Sequence, residues 1–325
     1  MRALVTGVSG FIGSHLARFL IARGYDVIGV DNKLPEFDPE LQRILPEFHL
    51  IDLRDDCCET IAGSNLRGDV DEVYHLAANM GGIGYITKDK AQIAVDNATI
   101  DMNVITAARH AAVPRFFFSS SACIYPTHLQ EDPNVAALKE NDAFPARPEE
   151  GYGLEKLFME RVCEYHAQDF GMQTRVARFH NVYGDRGTFQ GGAEKAPAAL
   201  CRKVAMAPNG GEIDIWGDGQ QTRSFLHVDD CCEGIWRLMH LDAATYTGPL
   251  NIGSDRSISI DDLADLIIKI SGKQIGIKHV PGPQGVRGRN SDNTQAKRLL
   301  NWSPPIALED GLARPYAWIA AQVAR

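Results

Sequence analysis

Apolar positions Leu4-Val5 run into Thr6-Gly7, and after glycines at Gly10 and Gly13 they return at helical spacing, Ile12, Leu16 and Leu20. The pattern predicts a strand, a tight glycine turn and the start of a helix. A second apolar run, residues 27–30, ends at Asp31, and a third, Phe48-His49-Leu50-Ile51, ends at Asp52. A fourth, from Val73 to Ala78, ends in small residues, and a helical pattern follows from about Ala91 to Ala112. Phe116-Phe117-Phe118 then reads as a buried strand that delivers Ser119-Ser120-Ser121-Ala122-Cys123. Strands alternating with helices predict an α/β chain with a Rossmann-like, doubly wound parallel sheet.

Each strand end has a chemical reading. A turn spaced G-x-x-G-x-x-G lets backbone approach a pyrophosphate, whose charge is favoured at a helix N-terminus. Asp31 stands roughly 20 residues beyond those glycines, where a carboxylate accepts from a ribose 2′-hydroxyl and repels a 2′-phosphate. NAD is therefore expected rather than NADP. Asp52 is placed either to meet an adenine amino group or to cap the helix that follows. Ala77 leaves room for a cofactor, and the loop holding Gly81 lies where ligands bind in such sheets.

Gly151-Tyr152-Gly153-Leu154-Glu155-Lys156 opens another helix, with Tyr152 and Lys156 at i and i+4 on one face. An ammonium there can depress a phenol from near 10 toward neutrality and make Tyr152 a proton acceptor. A Tyr-x-x-x-Lys pair is common by itself. Combined with the glycine turn and the serine-rich strand end, it points to oxidoreduction chemistry.

Composition narrows the setting. The 325 residues have room for about two domains, and 44% hydrophobic with 23% charged residues is ordinary for a globular chain. A net charge of −9 argues against nucleic-acid or anionic-membrane partners. Seven cysteines, an odd count without C-x-x-C, point to a reducing compartment, with Cys57-Cys58 and Cys231-Cys232 expected as packing residues. The N-terminus reads as a strand rather than a signal peptide, and no apolar run reaches transmembrane length, so the cytoplasm is expected. The ten histidines show no metal-ligand spacing, and no metal is expected. His180 and His227 read as satisfied core or capping residues.

After Arg178-Phe179-His180-Asn181-Val182-Tyr183-Gly184 the pattern becomes irregular and glycine-rich. The expected division is a NAD-binding domain over 1–180, with a returning segment near 222–253, and a mainly substrate-binding lobe over 181–325. Lys203, Arg223, and Arg287 or Arg289 lie on separate loops that can converge on a diphosphate.

The glycine turn, AANMGGIG, SSACIYP, YGLEK, RFHNVYG, GTFQGGAEKAPAALCRK, WGDGQQTRSF, NIGSD and PGPQGVRGRNSDN together run past Asp292. These words resemble the extended short-chain dehydrogenase/reductases that modify sugar nucleotides and, among them, the GDP-mannose 3,5-epimerases. The resemblance implies NAD held by Gly7, Gly10, Phe11, Ile12, Gly13, Asp31, Asp52, Leu53, Ala77, Tyr152 and Lys156. It implies a GDP-mannose site at Gly81, Ser121, Ala122, Cys123, Asn181, Glu194, Lys195, Ala196, Lys203, Gln221, Thr222, Arg223, Arg287 and Arg289. Ser121, Tyr152 and Lys156 would serve oxidation, and Cys123 and Lys195 the acid/base inversion of two carbons. Cys123 would be shifted toward thiolate by a nearby lysine and a helix terminus. A homodimer is implied as well. The runner-up is another sugar-nucleotide epimerase, dehydratase or decarboxylase, against which the Ala122-Cys123 pair argues. A non-catalytic NAD-binding sensor would be expected to lose Tyr152 and Lys156.

Overall fold

The computed structural model describes residues 1–55, 70–283 and 285–324, so Cys57 and Cys58 lie outside the described residues. In chain order the main elements of the first half are β1 (Arg2–Thr6), α1 (Phe11–Ala22), β2 (Asp26–Asp31), β3 (Glu47–Leu50), β4 (Glu72–His75), α2 (Lys90–His110), β5 (Arg115–Ser121), α3 (Tyr152–Phe170) and β6 (Gln173–Phe179). The second half adds β7 (Val182–Tyr183), α4 (Ala196–Met206), β8 (Glu212–Trp216), β9 (Thr222–Ser224), β10 (Leu226–His227), α5 (Val228–Met239) and β11 (Leu250–Ile252). It ends with β12 (Ser257–Ser259), α6 (Ile260–Ser271), β13 (Gly276–Val280), β14 (Gly288–Arg289) and α7 (Leu308–Val323).

Seven strands pair in the order β11-β6-β5-β4-β1-β2-β3, every pair parallel. The expected doubly wound sheet is present. Its order reverses between β1 and β4, and the crevice at such a switch point is where ligands bind. Helices cover both faces, which explains why Phe116, Phe117 and Phe118 are all buried although they alternate sides. Phe116 and Phe118 pack with Val104 of α2 and Met159 of α3, and Phe117 packs with Leu16 of α1 and Ile235 of α5. Cys231 and Cys232 are buried in this second layer, as their packing role requires.

The fourth strand is shorter than its apolar run. It stops at His75 because the N–H groups of Leu76 and Ala77 donate to Thr6 Oγ1, both at 3.2 Å, and leave the ladder. The chain is thereby turned out of the sheet at the crevice.

A separate apolar core joins Leu200 and Cys201 of α4, Leu263 and Ile267 of α6, and Leu312 and Ile319 of α7. The parallel pair β8–β13 and the three strands β12-β9-β14 belong to the second half of the chain. Two elements of that half return to the large sheet. Strand β11 pairs with β6, and α5 covers a face. Among the described residues no helix is long and apolar enough to cross a membrane.

Candidate active site

The glycine turn brings β1, α1 and β4 into direct contact. Gly7 has φ +70°, and a Cβ on it would lie 2.7 Å from the Ala77 nitrogen. A Cβ on Gly13 would lie 2.0 Å from the Gly7 carbonyl oxygen. Side chains are excluded at both positions. The N-terminus of α1 has no side-chain cap and no acidic residue in its first turn, so its backbone donors and dipole serve an incoming anion. Asp31 is buried at the end of β2, where its carboxylate accepts from the N–H of Ser9 at 2.9 Å and of Lys33 at 3.2 Å. Burial pushes this carboxyl up, opposed by those two donors.

A cavity of about 630 Å³ opens over the turn. It is lined by Gly7, Gly10, Phe11, Ile12, Gly13, Asp31, Asp52, Leu53 and Ala77, and also by Gly81, Ser121, Tyr152 and Lys195. A close-packed glycine cradle with an acidic group at its far end fits a dinucleotide such as NAD. The helix that Asp52 would cap falls outside the described residues, and the Asp52 carboxylate turns back on its own chain. It accepts from the Arg54 N–H at 3.0 Å, and the Arg54 guanidinium holds it down at about 2. A second cavity, about 660 Å³, lies beyond α1 and does not reach the turn. Its Arg18, Arg237 and Arg314 are already neutralised by Asp38, Glu233 and Asp185.

Ser121 ends β5, and its Oγ accepts from the Cys123 N–H at 3.2 Å, capping a short turn over Ala122–Ile124. Helix α3 starts against this turn: a Cβ on Gly153 would lie 2.2 Å from the Cys123 carbonyl oxygen. Gly153 is a positional requirement that the sequence reading did not single out, although it stands inside the YGLEK word. Cys123 and Tyr152 share one small apolar cluster with Ile86 and Ile93. Two expectations about ionisation are corrected here. Burial pushes the Tyr152 phenol up, and Lys156 only partly opposes it, because its ammonium is turned 3.0 Å from Asp101 Oδ2. The Cys123 thiol is likewise pushed up, first by burial and then by Glu149, with Arg289 and Lys195 pulling the other way.

Lys195 immediately precedes α4, whose first residue is Ala196, and faces the cavity. Burial pushes its ammonium down, and Cys123 is the largest opposing influence. Glu194 does not hold it. That carboxylate accepts from Arg202 at 3.0 Å and from the Gly192 N–H at 2.7 Å. The loop carrying Lys195 is tied to the loop after β4 by Gly82 N–H donating to the Ala193 carbonyl at 2.9 Å. A Cβ on Gly82 would lie 2.6 Å from the Glu194 carbonyl oxygen, a second close approach missed in the sequence.

Each of the cations expected around a diphosphate already has partners within the chain. Lys203 donates to the Asp214 carbonyl at 2.5 Å, and Arg287 is paired with Asp218 at the surface, 2.8 Å away. Arg223 donates to the Thr222 and Val286 carbonyls, both at 2.7 Å. Arg289 turns inward, with its guanidinium on Glu149, Gln130 and Cys123. Lys203 lies on α4, Arg223 on β9 and Arg289 on β14, so of these four Arg287 alone stands in a loop. Gln221 donates to the Trp216 carbonyl at 3.2 Å and Thr222 to that of Pro133 at 2.5 Å. Asn181, at φ +35°, donates to the Ser224 carbonyl at 3.1 Å. His180 is buried against Asn251 Oδ1 at 3.1 Å, and His227 caps α5. Among the described residues no cluster of histidine, cysteine and acidic groups has a metal-holding arrangement.

The chain is 47% identical to a GDP-mannose 3,5-epimerase of Oryza sativa subsp. japonica, over 99% of this chain and 82% of that one. It is 45% identical to that of Arabidopsis thaliana, over 99% and 83%. Among solved structures, UDP-glucose 4-epimerase of Thermotoga maritima with UDP-glucose superposes with a TM-score of 0.86 at 29% identity, covering 99% of this chain and 100% of that one. A UDP-glucuronic acid 4-epimerase of Bacillus cereus, in complex with UDP-glucuronic acid and NAD, gives 0.84 at 28%, covering 99% and 100%. Residues 3–253 match the model of the NAD dependent epimerase/dehydratase family, to which this chain belongs.

Proposed function

We propose that this protein converts GDP-mannose to GDP-L-galactose by inverting carbons 3 and 5 through a transient 4-keto sugar. The observation that carries the reading is that Ser121, Tyr152 and Lys195 line one cavity, with Cys123 in one buried cluster with Tyr152. Ser121 ends β5 and Tyr152 opens α3, while Cys123 and Lys195 lie close enough for each to bias the other's ionisation. The 45–47% identity to plant GDP-mannose 3,5-epimerases supports the same substrate.

Hydrogens beside a sugar hydroxyl are too weakly acidic to remove directly, whereas a ketone at carbon 4 acidifies those on carbons 3 and 5 together. NAD, when bound, supplies reversible hydride acceptance, so the net reaction consumes no cofactor. Gly7, Gly10 and Gly13 would hold its pyrophosphate and Asp31 its ribose. Tyr152 takes the proton of the carbon 4 hydroxyl and later returns it, with Ser121 sharing that hydrogen bond. Inversion needs a base on one side of each carbon and an acid on the other, and Cys123 and Lys195 carry those two duties. Burial favours the neutral form of both, SH and NH2. A thiol that can give a proton and an amine that can take one suit the pair. Gly81, Ala122, Asn181, Glu194, Ala196, Lys203, Gln221, Thr222, Arg223, Arg287 and Arg289 form the proposed surround of the sugar nucleotide.

The same reading divides the chain at about residue 180, with 222–253 returning to the cofactor side. The pairing of β11 with β6 supports this division. A homodimer is part of the reading and is supported by an exposed apolar row on α2 and α3, Val95, Met102, Leu154, Phe158 and Tyr165. A reducing, cytoplasmic setting is supported by free thiols at Cys123, Cys163, Cys201, Cys231 and Cys232. The test is incubation of the purified protein with GDP-mannose, UDP-glucose and UDP-glucuronic acid, with products read by NMR. GDP-L-galactose from the first alone is expected. Turnover of only a uridine nucleotide would overturn the proposal.

A further inference from the structure

Beneath Tyr152 runs a chain of buried polar groups that the chemistry above does not use. Lys156 Nζ donates to Asp101 Oδ2 at 3.0 Å, and Asp101 Oδ1 lies 2.8 Å from His75 Nε2. His75 Nδ1 lies 2.7 Å from Thr6 Oγ1. Thr6 Oγ1 already accepts from two backbone N–H groups, so its own hydrogen goes to His75 Nδ1. That leaves the imidazole hydrogen on Nε2, donating to Asp101. Asp101 and Lys156 are completely buried and His75 is 1% exposed. A carboxylate at such a position persists only with its partners satisfied, and here both oxygens are. The network ties α2, α3, β4 and β1 together at the base of the glycine turn.

We infer that Asp101 is a positioning residue that, through Lys156, sets the pH at which the Tyr152 phenol ionises. The inference rests on reading Tyr152 and Lys156 as the proton-transfer pair. Lys156 Nζ lies 4.7 Å from the centroid of the Phe118 ring and 5.8 Å from that of Tyr152, so its field is divided between the phenol above and Asp101 beside it. The other titratable groups facing this pair are His75 on β4, Cys123 beyond β5, and Glu155 and Cys163 on α3. His75 is neutral in the pattern just given. Burial pushes Glu155, Cys123 and Cys163 up, which keeps them protonated. Among the described residues Asp101 is therefore the negative charge that the Lys156–Tyr152 pair meets. Removing it favours phenolate on Tyr152 and makes Lys156 easier to deprotonate. Both effects move the working range to lower pH.

The test titrates NAD-loaded protein carrying 13Cζ-tyrosine, with the Tyr152 signal assigned by its loss in Tyr152→Phe. Asp101→Asn preserves shape and removes the charge. Asp101→Ser is the second variant should the first fail to fold. In either, the Tyr152 midpoint should fall by about one pH unit, and the pH profile of turnover should fall with it. An unmoved or raised midpoint, with turnover lost evenly at all pH values, would reduce Asp101 to a packing role and overturn the inference. A midpoint that falls while the wild type leaves GDP-mannose untouched would sink the proposed function and uphold the inference.

Discussion

The guanidinium of Arg289 lies 3.6 Å from the sulfur of Cys123, with Nε on Gln130 Oε1 at 2.5 Å and Nη2 on Glu149. This buried cation is the largest influence favouring the thiolate, against desolvation and Glu149, which favour the thiol. Arg289→Gln should therefore push Cys123 further up. On the alkaline side, where loss of the thiol proton ends its work as an acid, the pH at which solvent exchange falls to half should rise by about one unit. A lower rate with an unmoved profile would leave Arg289 a role in packing only.

Asp31 is already engaged by two backbone donors, so its charge is fixed at the end of β2. NAD should be bound in preference to NADP. Asp31→Ala loses one charged hydrogen bond to a ribose hydroxyl, about 1.5–3 kcal/mol, and should weaken NAD by about ten- to a hundredfold. NADP, which the carboxylate repels, should lose less. Titration calorimetry with both dinucleotides checks this, and an equal loss of both would sink the assignment.

How far the sequence carries the reader depends on the length scale of each contact. The glycine turn, Asp31 and the Tyr152–Lys156 pair are local patterns, each made within one turn or one βαβ unit, and could be read directly. The layer order followed from alternation. Asp101, His75 and Thr6 carry no such pattern: they are 26 to 95 positions apart, and only the fold makes them neighbours. Gly153 looks like an ordinary helix-start glycine and Gly82 like a loop glycine until the backbone beyond them is placed. The cations show the same limit from the other side. Lys203, Arg223 and Arg287 resemble a diphosphate clamp on a list of residues, yet each is committed to a carbonyl or carboxylate close by. The ionisation of Tyr152 and Cys123 was misread because spacing reveals a neighbouring charge and says nothing about desolvation, which is the largest influence on both.

Glu155 is 6% exposed, and its Oε2 lies 3.8 Å from Lys156 Nζ. Burial, with Asp101 nearby, pushes its carboxyl from 4.5 up to about 9. Between those values the folded chain keeps a proton that the unfolded chain has released. The unfolded state binds fewer protons, so stability falls as pH rises, by up to about 1.4 kcal/mol per unit. Glutamine has no proton to hold. Glu155→Gln should gain on the wild type from about pH 5 to 9 and level off above. Urea unfolding at pH 5, 7 and 9 measures the difference, and a constant gap would show that Glu155 is ionised throughout.

Cys123 and Lys195 provide the test that separates inversion at two carbons from simpler chemistry on the same fold. If they move the protons, the 4-keto sugar exchanges hydrogen at carbons 3 and 5 with solvent, so in heavy water the wild type places deuterium at both. Cys123→Ala and Lys195→Ala should still bind NAD and GDP-mannose, because the glycine turn and Asp31 are untouched. Their deuterium uptake should fall by about 10²–10⁴-fold, the usual worth of a positioned proton-transfer group. Tyr152→Phe should lose exchange for a different reason, since no ketone is formed to acidify either carbon. The two failures are distinguishable. The alanine variants can still oxidise carbon 4, seen as absorbance of reduced cofactor on adding GDP-mannose, and the phenylalanine variant cannot. Cys123→Ser retains the size of the thiol with a hydroxyl far less acidic, so it should resemble alanine. Full double exchange in Cys123→Ala would make the thiol a packing group, and the chain would then belong with epimerases that invert without it.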